Sequence, residues 1–163
     1  MELMCAVQHC HEHGIAHRDI KLSNILLDNQ FHVKLVGFQL AIRAPNRVSL
    51  ERSGTLSYMA PEVLQGSDRS ASGYDPFAAD IWSCGVVLFS MLAGRRPFDA
   101  SDAAQTRCRV LSGSYNKLDG FSDSAQDLIR GMLAVDPAHR PVIDRVLDHP
   151  WMRAAEARPS CPA

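Results

Sequence analysis

The sequence lacks the features that mark secreted, membrane-spanning and nucleic-acid-binding proteins. Its 163 residues contain no Asn-x-Ser/Thr glycosylation site, and no apolar signal core follows Glu2 near the start. The most apolar run, residues 84–93, is shorter than the roughly 20 residues that cross a bilayer. Lys and Arg total 17 against 18 Asp and Glu, a balance that argues against general binding to nucleic acid. We therefore expect no nucleic-acid partner and no membrane span.

The cysteines also lack the pattern of a disulfide framework. Their number is odd, their spacing does not repeat, and the chain is longer than a small disulfide-rich domain. We therefore expect reduced thiols and an intracellular location, either cytoplasmic or nuclear. The cysteines are Cys5, Cys10, Cys84, Cys108 and Cys161.

The composition that is present is that of a folded domain. Hydrophobic residues make up 46% and charged residues 21%, which excludes a fully disordered or collagen-like chain. A chain of this length buries roughly two-thirds of its unfolded surface. It therefore corresponds to one domain or to part of one.

Apolar periodicity predicts a mainly helical chain with one small β-hairpin. The hairpin is predicted from two apolar runs, residues 25–27 and 33–36, on either side of a polar turn. Residues 37–59 have no clean period and predict a long ordered loop, which in a compact domain is usually functional. The predicted helices cover residues 2–13 and 76–93 and regions near 100–112, 124–134 and 138–148. The composition of residues 67–73 indicates a surface insertion, and residues 153–163 are expected to form a flexible tail.

One string between the first helix and the hairpin carries chemistry. An acid, a base two residues later and an amide five residues later can converge on one point from a tight loop. Phosphoryl transfer to a hydroxyl needs such a set, with Asp19 accepting the proton, Lys21 offsetting charge on the phosphoryl group and Asn24 holding a metal ion. Taken alone, the string could also be a solvated turn. It reads His17-Arg18-Asp19-Ile20-Lys21-Leu22-Ser23-Asn24.

Further motifs follow in a fixed order, and the series resembles the C-terminal lobe of eukaryotic protein kinases over residues 1–152. Lys21 and Thr55 are similar to the serine/threonine branch, and the ending at residues 149–152 resembles the calcium/calmodulin-dependent and AMP-activated group. The motifs are Gly54-Thr55-Leu56-Ser57-Tyr58-Met59-Ala60-Pro61-Glu62, Asp80-Ile81-Trp82-Ser83-Cys84-Gly85, Pro97-Phe98 and Asp136-Pro137-Ala138-His139-Arg140-Pro141.

The resemblance implies a mainly α-helical C-lobe with a small hairpin beside the catalytic loop, residues 17–24, and an activation segment over residues 37–62. It also implies transfer of the ATP γ-phosphoryl group to Ser or Thr hydroxyls of a protein substrate, with ATP and Mg²⁺ as cofactors. The resemblance does not determine the oligomeric state.

The resemblance also assigns catalytic roles to single residues. Asp19 would be the catalytic base, and Lys21 would contact the γ-phosphate. Asn24 would hold the second Mg²⁺, and Leu26 would lie under the adenine ring. Thr55 would pack beside the catalytic loop and shape substrate docking.

Other residues would hold the site together. Phe38 would stack on His17, and Asp80 would accept hydrogen bonds from the backbone of the catalytic loop. Glu62 and Arg140 would form a buried ion pair that ties the activation segment to the helical core.

Three departures from the kinase pattern weigh against activity. The family expects Asp-Phe-Gly where this chain has Gly37-Phe38-Gln39, and glycine offers no side-chain oxygen to Mg²⁺. The N-lobe is expected to be absent, because the 163 residues hold no G-x-G-x-x-G loop and no V-A-I-K lysine. Glu51 stands at the usual phospho-acceptor position, where a carboxylate would partly replace the phosphate that pairs with Arg18.

Two classes of function remain open from the sequence. One is a serine/threonine protein kinase, favoured by Asp19, Lys21 and Asn24. The other is a pseudokinase-like or truncated form that only binds partner proteins, favoured by Gly37 and the missing lobe. A gene fragment with no role of its own is a third.

A zinc site is the alternative interpretation of the first helix. His9, His13 and His17 recur every fourth residue beside Cys10, as zinc ligands on a helix can. The helix should end near Gly14, so that His17 leaves the face of the other two. An exposed helix surface is therefore favoured.

Overall fold

Helices dominate the structure, a computed structural model that describes residues 1–65, 73–115 and 120–156. The helices are α1 (Glu2–Glu12), α2 (Pro61–Gln65), α3 (Pro76–Ala93), α4 (Ala103–Ser112), α5 (Asp123–Met132), α6 (Ile143–Leu147) and α7 (Pro150–Glu156). The short strands are β1 (Ile15–Ala16), β2 (Ile25–Leu27), β3 (Val33–Leu35) and β4 (Ile42–Arg43).

The central helix α3 organises the core. It begins where the Asp75 carboxylate accepts hydrogen bonds from the amides of Phe77 and Ala78, and it ends at Gly94 in the left-handed conformation (φ 68°). Most of its side chains are buried, and α5 packs against it. The structure confirms the predicted helix over residues 76–93. Because this helix is rigid and central, residues at its N-terminal end are well placed to anchor a loop.

The same helix is longer than the apolar run seen in the sequence. By length and a mean hydropathy of 1.5 it passes as a possible membrane span, but 78% of it is buried inside the fold. Burial on nearly all sides is the ordinary reason for an all-apolar helix.

The strands form two antiparallel pairs. Strand β2 pairs with β3, with Ile25 opposite Leu35, which confirms the predicted hairpin. Strand β1 pairs with β4, with Ile15 opposite Arg43. This second pair was not predicted, because two-residue strands carry no readable period. It fastens the start of the activation segment to the chain just after α1.

The predicted helix near residues 138–148 is wrong as one continuous element. A 3₁₀ turn covers Pro137–His139, and α6 begins only at Ile143. Pro141 lies between them and lacks the backbone N–H that a continuing helix needs. Helices α2 and α7 were not predicted, and α7 runs into the first residues of the predicted tail. The rest of that tail, from residue 157, and residues 67–72 of the predicted insertion lie outside the described residues.

Candidate functional site

A buried carboxylate in α3 anchors the catalytic loop. The two Asp80 oxygens accept hydrogen bonds from the backbone amides of His17 and Arg18, both at 2.8 Å. A third contact comes from His11 on α1, whose Nε2 lies 3.0 Å from Asp80 Oδ2. Asp80 is 1% exposed, so these donors replace the water that it lost on burial. The sequence analysis did not assign His11 a role, because its partner lies far away along the chain.

The anchored loop is further shaped by His17. Its Nε2 donates to the carbonyl of Val36 (3.0 Å), and its Nδ1 accepts from the amide of Asp19 (3.2 Å). The ring packs on Phe38 with 4.6 Å between centroids, as expected from the sequence. Arg18, which lies between His17 and Asp19 in the chain, adopts a left-handed backbone (φ 64°). This conformation is uncommon for a residue with a Cβ. His17 therefore joins the loop to the end of the hairpin.

The structure brings Asp19, Lys21, Asn24 and Thr55 together. The Thr55 hydroxyl donates to Asp19 Oδ1 at 2.8 Å, and Lys21 Nζ lies 2.8 Å from Asp19 Oδ2. Lys21 Nζ also donates to Thr55 Oγ1 at 2.9 Å. Thr55 belongs to the activation segment, so this network joins that segment to the catalytic loop. The catalytic roles of these residues stay predictions.

The network also sets the charge of Asp19. Partial burial raises the pKa of its carboxyl, but hydrogen bonds from Lys21 and Thr55 and the Lys21 charge outweigh burial and hold that pKa below its usual range. Asp19 is therefore ionised at neutral pH and can accept a hydrogen bond from a substrate hydroxyl.

The metal side of the site is different. Gly37 has a left-handed backbone (φ 86°), and a Cβ built on it would lie 2.6 Å from both Cγ and Nδ2 of Asn24. The Asn24 amide thus occupies the space beside Gly37, and its Nδ2 donates to the Asp19 carbonyl (2.8 Å) and to Oδ2 (3.2 Å).

These residues do not fit a Mg²⁺ ion. The expected carboxylate is absent at Gly37, and Asn24, whose amide nitrogen donates to Asp19, offers a single neutral oxygen. A hard divalent cation requires several oxygen ligands, usually with carboxylate charge. Across residues 1–65, 73–115 and 120–156, no group of three or more His, Cys, Asp or Glu side chains could hold a metal ion.

The histidines of α1 do not form a zinc site within these described residues either. His17 is used by the hairpin contact, and the His9 and His13 rings pack on each other with 4.3 Å between centroids. The His11 ring contacts the Asp80 carboxylate.

Leu26 lies on β2 with 51% of its surface exposed. The sequence predicted that Leu26 and Lys21 contact the nucleotide. Lys21 is already engaged by Asp19 and Thr55.

Arg18 joins the activation segment to the loop. Its Nη2 lies 3.1 Å from Glu51 Oε2, Nη1 donates to the Ser49 hydroxyl (3.1 Å), and Nε donates to the Leu40 carbonyl (2.7 Å). The expected approach of Glu51 to Arg18 is confirmed. The side chain of Arg18 is 5% exposed and that of Glu51 is 75% exposed, so the carboxylate reaches in from the surface.

The second predicted ion pair is also present. Arg140 Nη1 and Nη2 bind the two Glu62 oxygens at 2.6 and 2.7 Å, a bidentate arrangement. The Arg140 side chain is fully buried and also donates to backbone carbonyls of residues 78, 134 and 135. Its guanidinium lies 5.0 Å from the centre of the Trp82 ring. The pair ties α2 to the turn before α6.

A cleft opens beside Asp19. Ser53, Thr55, Met59 and Tyr74 are among its lining residues. The cleft therefore combines an ionised carboxylate, a hydroxyl and apolar side chains.

Comparison with known proteins agrees with this geometry. The model of the protein kinase domain matches residues 1–152. The chain is 35% identical to the probable serine/threonine-protein kinase CCRP1 of Zea mays, over 98% of this chain and 25% of that protein. It is 40% identical to the protein kinase domain-containing protein ppk9 of Schizosaccharomyces pombe, over 94% of this chain and 28% of that protein. It is 38% identical to the serine/threonine-protein kinase SIK1 of Rattus norvegicus, over 94% of this chain and 19% of that protein.

The chain thus spans about a quarter or less of the length of two of these relatives and slightly more of the third. The match nevertheless covers nearly all of the 163 residues, including the catalytic loop, the activation segment and the central helix. Two of these relatives carry the name serine/threonine-protein kinase, and the chain belongs to the protein kinase family.

Proposed function

We propose that these residues build a serine/threonine kinase C-lobe that binds hydroxyl-bearing protein segments and is impaired in phosphoryl transfer. The network of Asp19, Lys21 and Thr55, with every contact within 2.9 Å, carries this proposal. It presents an ionised carboxylate at the edge of a small cleft. A Ser or Thr hydroxyl would donate to Asp19, while Lys21 holds the carboxylate in place.

The impairment is supported by the opposite side of the site. Catalysis of phosphoryl transfer rests on positioning and charge stabilisation of the phosphates, in which the metal has the larger part. Asp19 by itself would contribute general-base help of only about 10²–10⁴-fold. With Gly37 in place of a carboxylate and only the neutral amide of Asn24 as a metal ligand, we expect Mg²⁺ and ATP to bind weakly.

The activation segment is proposed to be ordered without phosphorylation. Glu51 supplies one negative charge to Arg18, where a phosphate would supply about two. Since Glu51 is largely exposed, the pair is worth about 0–1 kcal/mol and biases the segment rather than locking it. Strand β4 and the Ser49 contact add to the same ordering.

The location is proposed to be intracellular, cytoplasmic or nuclear. The odd number of cysteines and their irregular spacing support this proposal.

A second candidate function is phosphoryl transfer itself, favoured by the well-formed Asp19 network. It would require ATP and metal to be positioned by groups other than those described. The proposal of a binding role and this alternative differ in whether ATP consumption depends on Asp19.

Peptide retention on the immobilised chain tests the binding role. Two degenerate peptide libraries would be compared, identical except for a central Ser/Thr in one and Ala/Val in the other. We expect preferential retention of the Ser/Thr library, and loss of that preference in Thr55→Val, which removes one hydroxyl from the network. Ser112→Ala, an exposed hydroxyl on α4, is the matched control. Equal retention of both libraries by the parent chain would contradict the proposal.

A further inference from the structure

A second groove lies between α5 and α6, on residues that the cleft beside Asp19 does not share. Its volume is about 430 Å³, within the range of roughly 300–1,000 Å³ found for ligand sites. Arg130, Arg145, His139 and His149 contribute to its lining. This concentration of basic groups contrasts with the chain as a whole, whose net charge is −1.

The two guanidinium groups of this groove are not neutralised by carboxylates. Among the described residues, neither Arg130 nor Arg145 has an acidic side chain within ion-pair distance, and Arg130 makes a hydrogen bond only to Gln126 (3.3 Å). Other arginines of the chain do have such partners, namely Arg18, Arg47, Arg96, Arg140 and Arg153. Most donors of the two groove arginines therefore remain available to a ligand.

The remaining charged groups of the groove are already engaged. Asp127 lies 3.2 Å from His149 Nε2. His149 Nδ1 accepts from the Trp151 amide, so Nε2 carries the proton and donates to Asp127. The charge of Arg140 is compensated by Glu62. The groove therefore carries a net positive charge, because Arg130 and Arg145 outnumber the single Asp127 carboxylate.

The floor of the groove is apolar and open. Leu128, Gly131 and Pro141 line it. A Cβ built on Gly131 would meet only Pro141, at 3.8 and 4.0 Å. Glycine inside a helix is unfavourable relative to alanine, and the packing here does not require it. Because Gly131 has no side chain, another chain can approach the helix backbone closely at this position.

We propose that this groove binds an acidic peptide segment of a partner protein. Carboxylates of the peptide would pair with Arg130 and Arg145, since guanidinium groups bind carboxylates in a bidentate manner. The peptide backbone would pass over Gly131, against Leu128 and Pro141. An apolar floor between two arginines suits short peptide side chains, whereas a long nucleic acid would be disfavoured by the negative net charge of the chain.

Fluorescence anisotropy of a labelled peptide of alternating Glu and Val residues tests the proposal. The parent chain should bind it, and the affinity should fall with added salt. Arg130→Gln with Arg145→Gln should weaken binding about tenfold or more. Arg43→Gln with Arg95→Gln, which removes the same charge from exposed arginines elsewhere, should leave the affinity within about twofold.

A third variant changes the shape of the groove and keeps its charge. Gly131→Met fills the floor, keeps both arginines and replaces glycine by a better helix former, so it should fold and yet lose binding. Thermal unfolding of each variant would verify folding. The proposal is overturned if the parent chain does not bind, if both arginine pairs lose affinity equally, or if Gly131→Met binds like the parent. Equal, Arg130-dependent binding of a DNA oligonucleotide would replace the peptide assignment by a general polyanion site.

Discussion

At the scale of single residues, the site depends on a pair that the sequence alone could not join. Gly37 leaves a space, and the Asn24 amide fills it, with atoms 2.6 Å from where a Cβ would be. Asn24 Nδ2 thereby holds Asp19. The sequence predicted Asn24 and the loss at Gly37 separately. Close packing of the Asn24 side chain against Gly37 is a contact between distant residues that no local pattern encodes.

A double-mutant cycle tests whether Asn24 and Gly37 are coupled. Gly37→Ala should destabilise the parent chain twice over, by about 1–2 kcal/mol for a Cβ in the left-handed region and by about 1–3 kcal/mol for overpacking against Asn24. In the Asn24→Ala background the second cost should disappear. Urea unfolding of the four chains measures the coupling, and strictly additive free energies would contradict the proposed contact.

The charge of Asp19 gives a second prediction. Lys21→Met removes the main group that lowers the pKa of Asp19, while burial continues to raise it, so that pKa should rise. An NMR titration of the carboxyl carbons measures it. Lys34→Met is the control, because Lys34 pairs with Asp28, whose pKa is about 2, and leaves Asp19 untouched.

The lowered pKa of Asp19 also determines how the stability of the fold depends on pH. A carboxyl whose folded pKa lies below its unfolded value contributes stability above the unfolded pKa, and loses it as pH falls through the folded pKa. For Asp19 this window lies below about pH 4. An Asp19 pKa that does not move in Lys21→Met would show that Lys21 is not what holds it down.

At the scale of elements, the Glu62–Arg140 pair joins parts of the chain that local sequence leaves independent. Helix α2 has only five residues, which is too short to be stable by itself. Its attachment to the core by a bidentate, buried contact explains why it forms. The same contact fixes the end of the activation segment, so it also positions the cleft.

Removing the Glu62–Arg140 pair should lower the free energy of unfolding. Glu62→Ala leaves a fully buried guanidinium without its carboxylate, and we expect a loss of about 3–5 kcal/mol in the free energy of unfolding. Asp99→Ala breaks the exposed Arg96–Asp99 pair and should cost about 0–1 kcal/mol. Urea denaturation compares the two, and similar losses would contradict a special role for the buried pair.

Elements differ in how far the sequence predicts them. Helix α3 was predicted because a proline that suits the first helical turn and a long apolar run agree in one place. The hairpin was predicted from two apolar runs around a polar turn. Strands β1 and β4 and helices α2 and α7 are short, and long-range contacts rather than local patterns stabilise them. The break before α6 shows the converse, since Pro141 stops a helix that periodicity alone continues.

At the scale of the whole molecule, the site divides into two halves. The substrate half is assembled, with loop, activation segment and central helix joined through Asp80, Arg18 and Thr55. The metal half lacks its carboxylate. We therefore expect Gly37→Asp alone to leave activity low, because one carboxylate supplies only part of the contacts that position the metal and the phosphates. Activity should rise by orders of magnitude only when Gly37→Asp and Gln39→Gly are combined in a chain joined to a complete nucleotide-binding lobe.

Phosphate transfer by the 163-residue chain tests the central claim most directly. The chain would be incubated with labelled ATP, Mg²⁺ or Mn²⁺ and a degenerate Ser/Thr peptide library, with Asp19→Asn as the blank. We predict no transfer above that blank, because Gly37 and Asn24 do not hold the metal that stabilises the moving phosphoryl group. Strong transfer by the parent chain that disappears in Asp19→Asn would contradict the account and show that other groups supply the metal site.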